Sequence, residues 1–272
     1  MRACPSGVSA RKIFTAALSL TTLASLSPLA HAESVHGTRS DKLKEVAHTA
    51  ELRLDRGFAE LVVRRTVDNG GPRHDQAMFG IDLPPGAVAT WLRTLGTLDG
   101  QPHWFAGELM EAEAAAEKYR ELTGIGGYYP KDPALLSWRH QGHLMLQVFP
   151  VPPGEKKTIE YTLILPTRYQ DGRDELDLGR LGTPELAPEI VVRPARAEDT
   201  VMSAGLPLAS GAKITSATGV SLSLVRARPQ KLAGALAVVP FGADKVLYHQ
   251  RVEVAERLST LPASAQVVVV LD

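Results

Sequence analysis

EAEAAAEKYRELTG, from Glu111 to Gly124, and HLMLQVFPVPPGEKKTIEYTLILP, from His143 to Pro166, are the stretches whose reading decides the fold. The first is dense in strong helix formers. Its Ala112, Ala115, Tyr119 and Leu122 recur at spacings of three, four and three, which places them on one helical face. Gly124 stands where a helix end prefers left-handed backbone. KDPALLSW (Lys131 to Trp138) lies between the two stretches, and the second reads as a pair of strands around a Pro-Pro-Gly-Glu turn. A helix of about three turns cannot bury its stripe alone. The spacing therefore predicts one helix laid against a sheet.

Outward from there, a period of two takes over. Ala50, Leu52 and Leu54 alternate with polar neighbours, and Ala59, Leu61 and Val63 repeat the pattern after Asp55-Arg-Gly, predicting strand, tight turn and strand across His48 to Val67. Asp68-Asn-Gly-Gly-Pro72 is a turn signal. Gln76 to Leu83 reads as a strand ending at Pro84-Pro85-Gly86, and Val88 to Leu98 with His103 to Met110 as another pair around Asp99-Gly100. Residues 33–43 read as a polar leader. Beyond Thr167 the chain turns rich in Asp, Arg, Gly and Pro, and residues 168–188 read as a linker. Strands then resume at Glu189 to Val192, Lys213 to Thr218, Val220 to Arg226, Ala235 to Val239 and Lys245 to Val254, a second β-rich region spanning 189–260. The expected fold is mainly β: an antiparallel sandwich-like unit with one inserted α-helix, followed by a second β-rich unit.

The order of these signals resembles a family. Phe79-Gly-Ile-Asp-Leu-Pro, Glu111 to Tyr119, Gly124, Asp132-Pro-Ala-Leu-Leu136, Phe149-Pro-Val-Pro-Pro-Gly-Glu155 and a strand through Tyr161 follow one another as in the VIT domain, the module of vault proteins and inter-alpha-trypsin inhibitor heavy chains. The resemblance covers residues 44–167. It implies a protein or extracellular-matrix-type partner and no cofactor. VIT domains are frequently followed by a von Willebrand A domain, whose first strand is apolar and ends in the Asp that opens an Asp-x-Ser-x-Ser metal motif. LPASAQVVVVLD (Leu261 to Asp272) has the continuous β-branched run of a strand buried on both faces. The resemblance implies that residues 261–272 begin such a domain and that the chain is cut there. The alternative is a native last strand of the second β region. Asp272 would ligate magnesium or calcium only if hydroxyls followed it, because a hard cation needs several oxygens in a fixed array; no bound metal is expected.

Composition sets the compartment. Of 272 residues, 44% are hydrophobic and 22% charged, as in ordinary globular proteins. Arg2, Arg11 and Lys12, the apolar run Ile13 to Leu29 and Ala30-His31-Ala32 spell a signal peptide over residues 1–32, cleaved at the A-x-A site. Pro28 and the many hydroxyls weigh against a lasting anchor, and no membrane span is expected after its removal. Export to the periplasm, the cell surface or the medium follows. Cys4 is the only cysteine, so the mature chain relies on its core alone and has no zinc-thiolate site. Removing Arg2, Arg11 and Lys12 from 30 bases leaves 27 against 30 acids, a net charge of −3, which excludes a basic nucleic-acid face.

No catalytic motif is legible. There is no Gly-x-Ser-x-Gly elbow and no His-Glu-x-x-His. His140-Gln-Gly-His143 is read as extended backbone that sends the two rings to opposite faces, and both as solvated. His74-Asp75 reads as turn surface, and Trp104, after His103, as core. Gly124-Ile-Gly-Gly127 follows a helix instead of opening one, so it faces an anion with the wrong end of the dipole. Glu108, Glu111, Glu113 and Glu117 suit a helix start and a solvated face better than a glycosidase acid pair, which needs a cleft and a fixed separation. The function expected is a non-enzymatic interaction or adhesion module. The alternative is an exported hydrolase, acting on glycans, with an acid and histidine site, possible through a Ser, His and Asp set that no motif announces. Gathering of His74, His140 or Glu108 in one cleft would favour the hydrolase, and their dispersal the module.

Overall fold

Alternating side chains from the three sheets meet in a single core. The structure, a computed structural model, describes residues 33–123, 133–183, 185–227, 232–241 and 245–254. All belong to one compact unit, His31–Asp272. The expected signal peptide, Gly124-Ile-Gly-Gly127 and Leu261 to Asp272 lie outside the described residues.

In chain order the elements are β1 (Ser34–Gly37), β2 (Leu43–Asp55), β3 (Phe58–Asn69), β4 (Asp75–Asp82), β5 (Val88–Leu98), β6 (Gln101–Ala106), α1 (Ala112–Thr123), β7 (Ala134–His140), β8 (His143–Val151), β9 (Lys156–Pro166) and β10 (Arg168–Gln170). They continue with β11 (Arg173–Leu178), β12 (Glu189–Pro194), β13 (Thr200–Ser203), β14 (Leu206–Pro207), β15 (Ala212–Thr215), β16 (Val220–Val225), β17 (Leu232–Phe241) and β18 (Lys245–Val254). Seven strands form the largest sheet, in the order β15-β12-β2-β3-β9-β5-β6. Four form a second, β1-β4-β8-β7, five a third, β10-β11-β16-β13-β14, and β17 pairs with β18 as a ribbon. The fold is mainly β and sandwich-like, with one helix among the described residues.

The β2–β3 hairpin shows how the pattern works. Leu54, Leu52 and Ala50 sit opposite Ala59, Leu61 and Val63, and all six are buried. The two-residue turn Arg56-Gly57 closes it, with Gly57 at φ 90, a left-handed value that glycine adopts without strain. Phe79, Ile81, Leu144 and Leu146 of the four-stranded sheet join the same core, as do Leu176, Val201, Leu222 and Leu224 of the five-stranded one. The hairpin tip is also tied to the third sheet by charge. Arg56 forks onto Asp199, with Nε to Oδ2 and Nη2 to Oδ1 both at 3.1 Å, while the Gly57 N–H donates to Asp174 Oδ1 at 3.1 Å. Asp174 in turn accepts from Arg226 at 2.9 Å.

Three expectations are corrected. His143 to Pro166 is not a hairpin: β8 pairs with β4 and β7, whereas β9 pairs with β3 and β5. Both strands turn apolar side chains to one core from opposite sides, so the Pro-Pro-Gly-Glu turn hands the chain from one sheet to the facing one. Asn69 holds that turn, its carbonyl accepting from the Gly154 N–H at 2.7 Å and its side-chain amide donating to Val151 O at 2.8 Å. Residues 33–43, read as a leader, carry β1, which pairs with β4, and Glu33 is buried. Residues 168–188, read as a linker, carry β10 and β11, and Leu176, Leu178 and Leu181 reach the core. Their apolar positions were diluted by Asp and Arg neighbours that face solvent or pair. Farther on, β12 runs parallel to β2, so the seven-stranded sheet draws strands from both sides of that stretch.

The helix behaves as its spacing predicts. The Glu111 carboxylate accepts from the N–H groups of Glu113 and Ala114 at 3.1 and 3.2 Å, satisfying two of the donors a helix start leaves open. Tyr119 is buried, and its hydroxyl donates to Gln76 Oε1 at 3.3 Å, which ties α1 to β4. Ala115 and Leu122 are half-buried.

Candidate functional site

Outward-facing positions of the seven-stranded sheet form a patterned surface. Arg64 of β3, Glu160 of β9 and Arg93 of β5 lie opposite one another in register. Glu160 Oε2 accepts from Arg64 Nε and Nη2 at 3.0 and 2.7 Å, and Oε1 accepts from Arg93 Nε at 2.6 Å. One carboxylate thus holds two guanidiniums. Both stand over the ring of Trp104 in β6, at 5.3 and 4.6 Å from its centroid, within cation–π range. In the adjoining row Val62 and Trp91 flank Thr162, and Trp91 is 64% exposed. On the other side the hydroxyls of Thr66 and Thr158 meet at 2.9 Å. Trp104, expected in the core, is on this outer face, half-buried under the arginines. The sequence held a signal for this: Thr158, Glu160 and Thr162 alternate with the buried Ile159, Tyr161 and Leu163.

A cavity of about 690 Å³ opens where α1 meets β5, β6 and β7. Leu92, Phe105, Met110, Tyr119, Leu122 and Leu135 give it apolar walls, with Arg93, Glu108 and Lys118 as its charged groups. Of the four glutamates considered from sequence, only Glu108 lines it. Glu111 is committed to the helix start, and Glu113 and Glu117 face solvent.

The histidines are arranged differently from expectation. His140 and His143 flank the two-residue β7–β8 turn and pair in register, so their rings stack at 5.1 Å with planes 18° apart. Extended backbone would have separated them; Gln141-Gly142 turns the chain instead. His143 Nδ1 lies 2.8 Å from Asp82 Oδ1 at the end of β4. The position a Cβ on Gly80 would take is 2.8 Å from Ser34 Oγ and 3.6 Å from His143 Nε2. No hydrogen bond joins Ser34 to His143. His74 is exposed just before β4, at the end opposite Asp82, roughly 25 Å away along eight extended residues. Asp75 is buried and organises a turn, its Oδ1 accepting from the N–H groups of Thr38 and Arg39 at 3.0 and 2.9 Å. Among the described residues no group of three acids, histidines or cysteines is placed to hold a metal.

Inside the sandwich lies a charged cluster that sequence reasoning missed. Arg65 occupies the inward row of β3 between Val63 and Val67 and is fully buried. Glu45, turned inward by a bulge at Val46, accepts from it at 2.6 and 2.8 Å, and Glu33 Oε2 accepts at 3.0 Å. Glu33 Oε2 also takes the Gly182 N–H at 2.9 Å. The Arg65 guanidinium sits 4.7 Å from the centroid of Phe79 on the facing sheet. Burial raises the Glu33 carboxyl above its usual range, against the pull of Arg65. Burial, and then Arg65, push the His48 imidazole down to about 3, so it is neutral at ordinary pH. Its Nδ1 is 3.5 Å from Glu45 Oε1 but makes no hydrogen bond with it. The signal was present: Arg65 and His48 interrupt apolar alternation at positions that must face the core.

No family model and no curated protein matches this sequence. Among solved structures, an M1 zinc metallopeptidase from Deinococcus radiodurans aligns over 86% of this chain and 51% of its own, at 15% identity and TM-score 0.35. A Legionella pneumophila protein named for nutrient binding aligns over 71% of this chain and 70% of its own, at 10% identity and TM-score 0.37. The chain spans about half the length of the metallopeptidase. Likenesses this slight carry nothing about activity or ligand.

Proposed function

We propose that the chain is a non-enzymatic protein-interaction or adhesion module of an exported protein of the VIT and von Willebrand A kind, with a protein or extracellular-matrix-type partner. The observation that supports this is the outer face of the seven-stranded sheet. Its arginines are held in place before any partner arrives, so little side-chain freedom remains to be lost on binding. Tryptophan and arginine are also the residue types that dominate binding energy at interfaces. Trp91 supplies the exposed anchor, and the Arg64, Glu160, Arg93 and Trp104 ladder the rigid surround. The dispersal of His74, His140 and Glu108 over separate parts of the unit favours the same reading. No helix among the described residues is long and apolar enough to cross a membrane.

The test is a panel of immobilised matrix proteins, collagen and fibronectin among them, probed with the purified chain by interferometry. Retention that weakens about tenfold or more in Trp91→Ala, with unchanged melting temperature, is the expected result. Failure of every panel member to retain the chain at about 10 μM sinks the proposal. The hydrolase reading has one observation in its favour, the Asp82–His143 pair beside Ser34. Turnover of chromogenic esters or glycosides that is abolished in His143→Ala would install it instead.

A further inference from the structure

We propose that the ribbon of β17 and β18 is a self-association surface, and that its occupant is the same ribbon of a second copy of this chain. In an antiparallel pair, residues directly opposite share a face. Here Leu232 faces Val254, Gly234 Val252, Leu236 Gln250, Val238 Tyr248 and Pro240 Val246. The even-numbered face is therefore apolar except for Gln250, and no charged residue stands on it. Lys245 and Arg251 fall on the odd-numbered face together with His249.

The ribbon is fastened by its charged face. The Arg251 guanidinium donates to the carbonyl of Arg56 at the β2–β3 turn, and its Cδ passes 3.7 Å from the position of a Cβ on Gly57. Among the described residues the apolar face is left open, with Leu232 62%, Leu236 65%, Val238 55%, Val246 60%, Tyr248 72% and Val252 58% exposed, and on the odd-numbered face Leu247 is 56% exposed as well. A two-stranded ribbon is at best marginally stable alone in water, and apolar alternation this regular signals a face that is covered.

A second copy fits this face for two reasons. A two-fold contact sets a surface against itself, which like charges would oppose, and this surface carries none. The six exposed side chains and Pro240 present roughly 700 Å² per copy, about 1,400 Å² for the pair, within the range of specific protein interfaces. Two such faces pack about 10 Å apart, as sheets do in a sandwich. The pairing does not depend on the binding role proposed above: a chain that retains no matrix protein would still dimerise.

Sedimentation velocity on the purified chain, from about 1 to 100 μM, tests the proposal. The chain should sediment as a dimer at the upper end, and Val238→Lys and Tyr248→Lys should each weaken dimerisation about 30-fold or more. His249→Lys, on the opposite face, should leave it unchanged. Circular dichroism of each variant checks that the fold persists. A parent chain monomeric at 100 μM overturns the proposal, whether the face is then covered by another part of the same chain or by nothing. So does dimerisation that His249→Lys disrupts and Val238→Lys spares.

Discussion

The β2–β3 hairpin and the β17–β18 ribbon are built on the same period of two, yet one is sealed and the other open. In the hairpin, Ala50, Leu52, Leu54, Ala59, Leu61 and Val63 are buried because β4 and β8 supply a facing layer. In the ribbon, Leu236, Val238 and Tyr248 have equally regular spacing and remain more than half exposed. Alternation thus specifies that a strand has an apolar face; it does not specify what covers it. The second contrast is where charge sits. The ribbon sets Lys245 and Arg251 on one side, whereas the sandwich encloses Arg65, Glu33 and Glu45 within its core.

That enclosed charge should give the largest measurable effect among substitutions that leave the chain able to fold. Arg65→Met leaves two carboxylates buried without a cation, and removing one partner of a buried ionic network costs about 3–5 kcal/mol. Denaturant unfolding checks it. A loss below about 1 kcal/mol would mean that water reaches the cluster and that the sandwich is no tighter there than the ribbon. Tyr119→Ala comes next. Its ring is the buried part of the helix stripe, and truncation should cost about 3 kcal/mol. A loss below half a kcal/mol would show a helix that merely rests on the sheets.

A pH series sharpens the same contrast. The folded state holds His48 near 3, against an unfolded value of 6.5. Between those values the unfolded chain binds a proton that the folded chain refuses, so stability is full above pH 6.5 and falls as pH drops towards 3. Lowering pH from 7.5 to 5 should cost about 2 kcal/mol through this residue, at 1.36 kcal/mol per unit. Glu33 works in the opposite sense, since its raised value favours the folded state as acid is added. The check is therefore the difference between parent and His48→Phe at each pH. A difference that stays flat across that interval means His48 is solvated.

Much of the fold was legible because the strands obey local rules. The Asp55-Arg-Gly turn and the strand Gln76 to Leu83 are found where the residues put them, and the pair around Asp99-Gly100 forms with its second strand at Gln101–Ala106, earlier and shorter than His103 to Met110. The partnership of β8 and β9 was not legible, since Pro-Pro-Gly-Glu fixes a reversal of the chain without saying whether the strands it joins share a sheet. Nor was β11, whose Leu176 and Leu178 alternate with Glu175 and Asp177 and share their buried row with Asp174: Asp174 binds Arg226, and Asp177 accepts from Ser221 at 2.6 Å. The outer-face ladder depends on register across β3, β9, β5 and β6, a non-local property. Arg65 and His48 are different, because each breaks an apolar row where a polar side chain has no local reason to be, and that breach can be read from the sequence.

The smallest expected effects lie where the molecule is open. His140→Ala should change unfolding free energy by less than about half a kcal/mol, because its exposed ring stacks on His143 and otherwise meets only the neighbouring Gln141 carbonyl, at 3.1 Å. Leu236→Lys should be as quiet at micromolar dilution, where the ribbon face is uncovered and a lysine there meets water. The same substitution in the hairpin row, Leu52→Lys, would bury an ammonium in the sheet interior and abolish folding. If Leu236→Lys instead lowers the dilute chain's stability by more than about 2 kcal/mol, the ribbon's apolar face is already packed within the single chain. The distinction between a sealed hairpin and an open ribbon would then dissolve, and its exposed leucines and valines would belong to the core of the monomer.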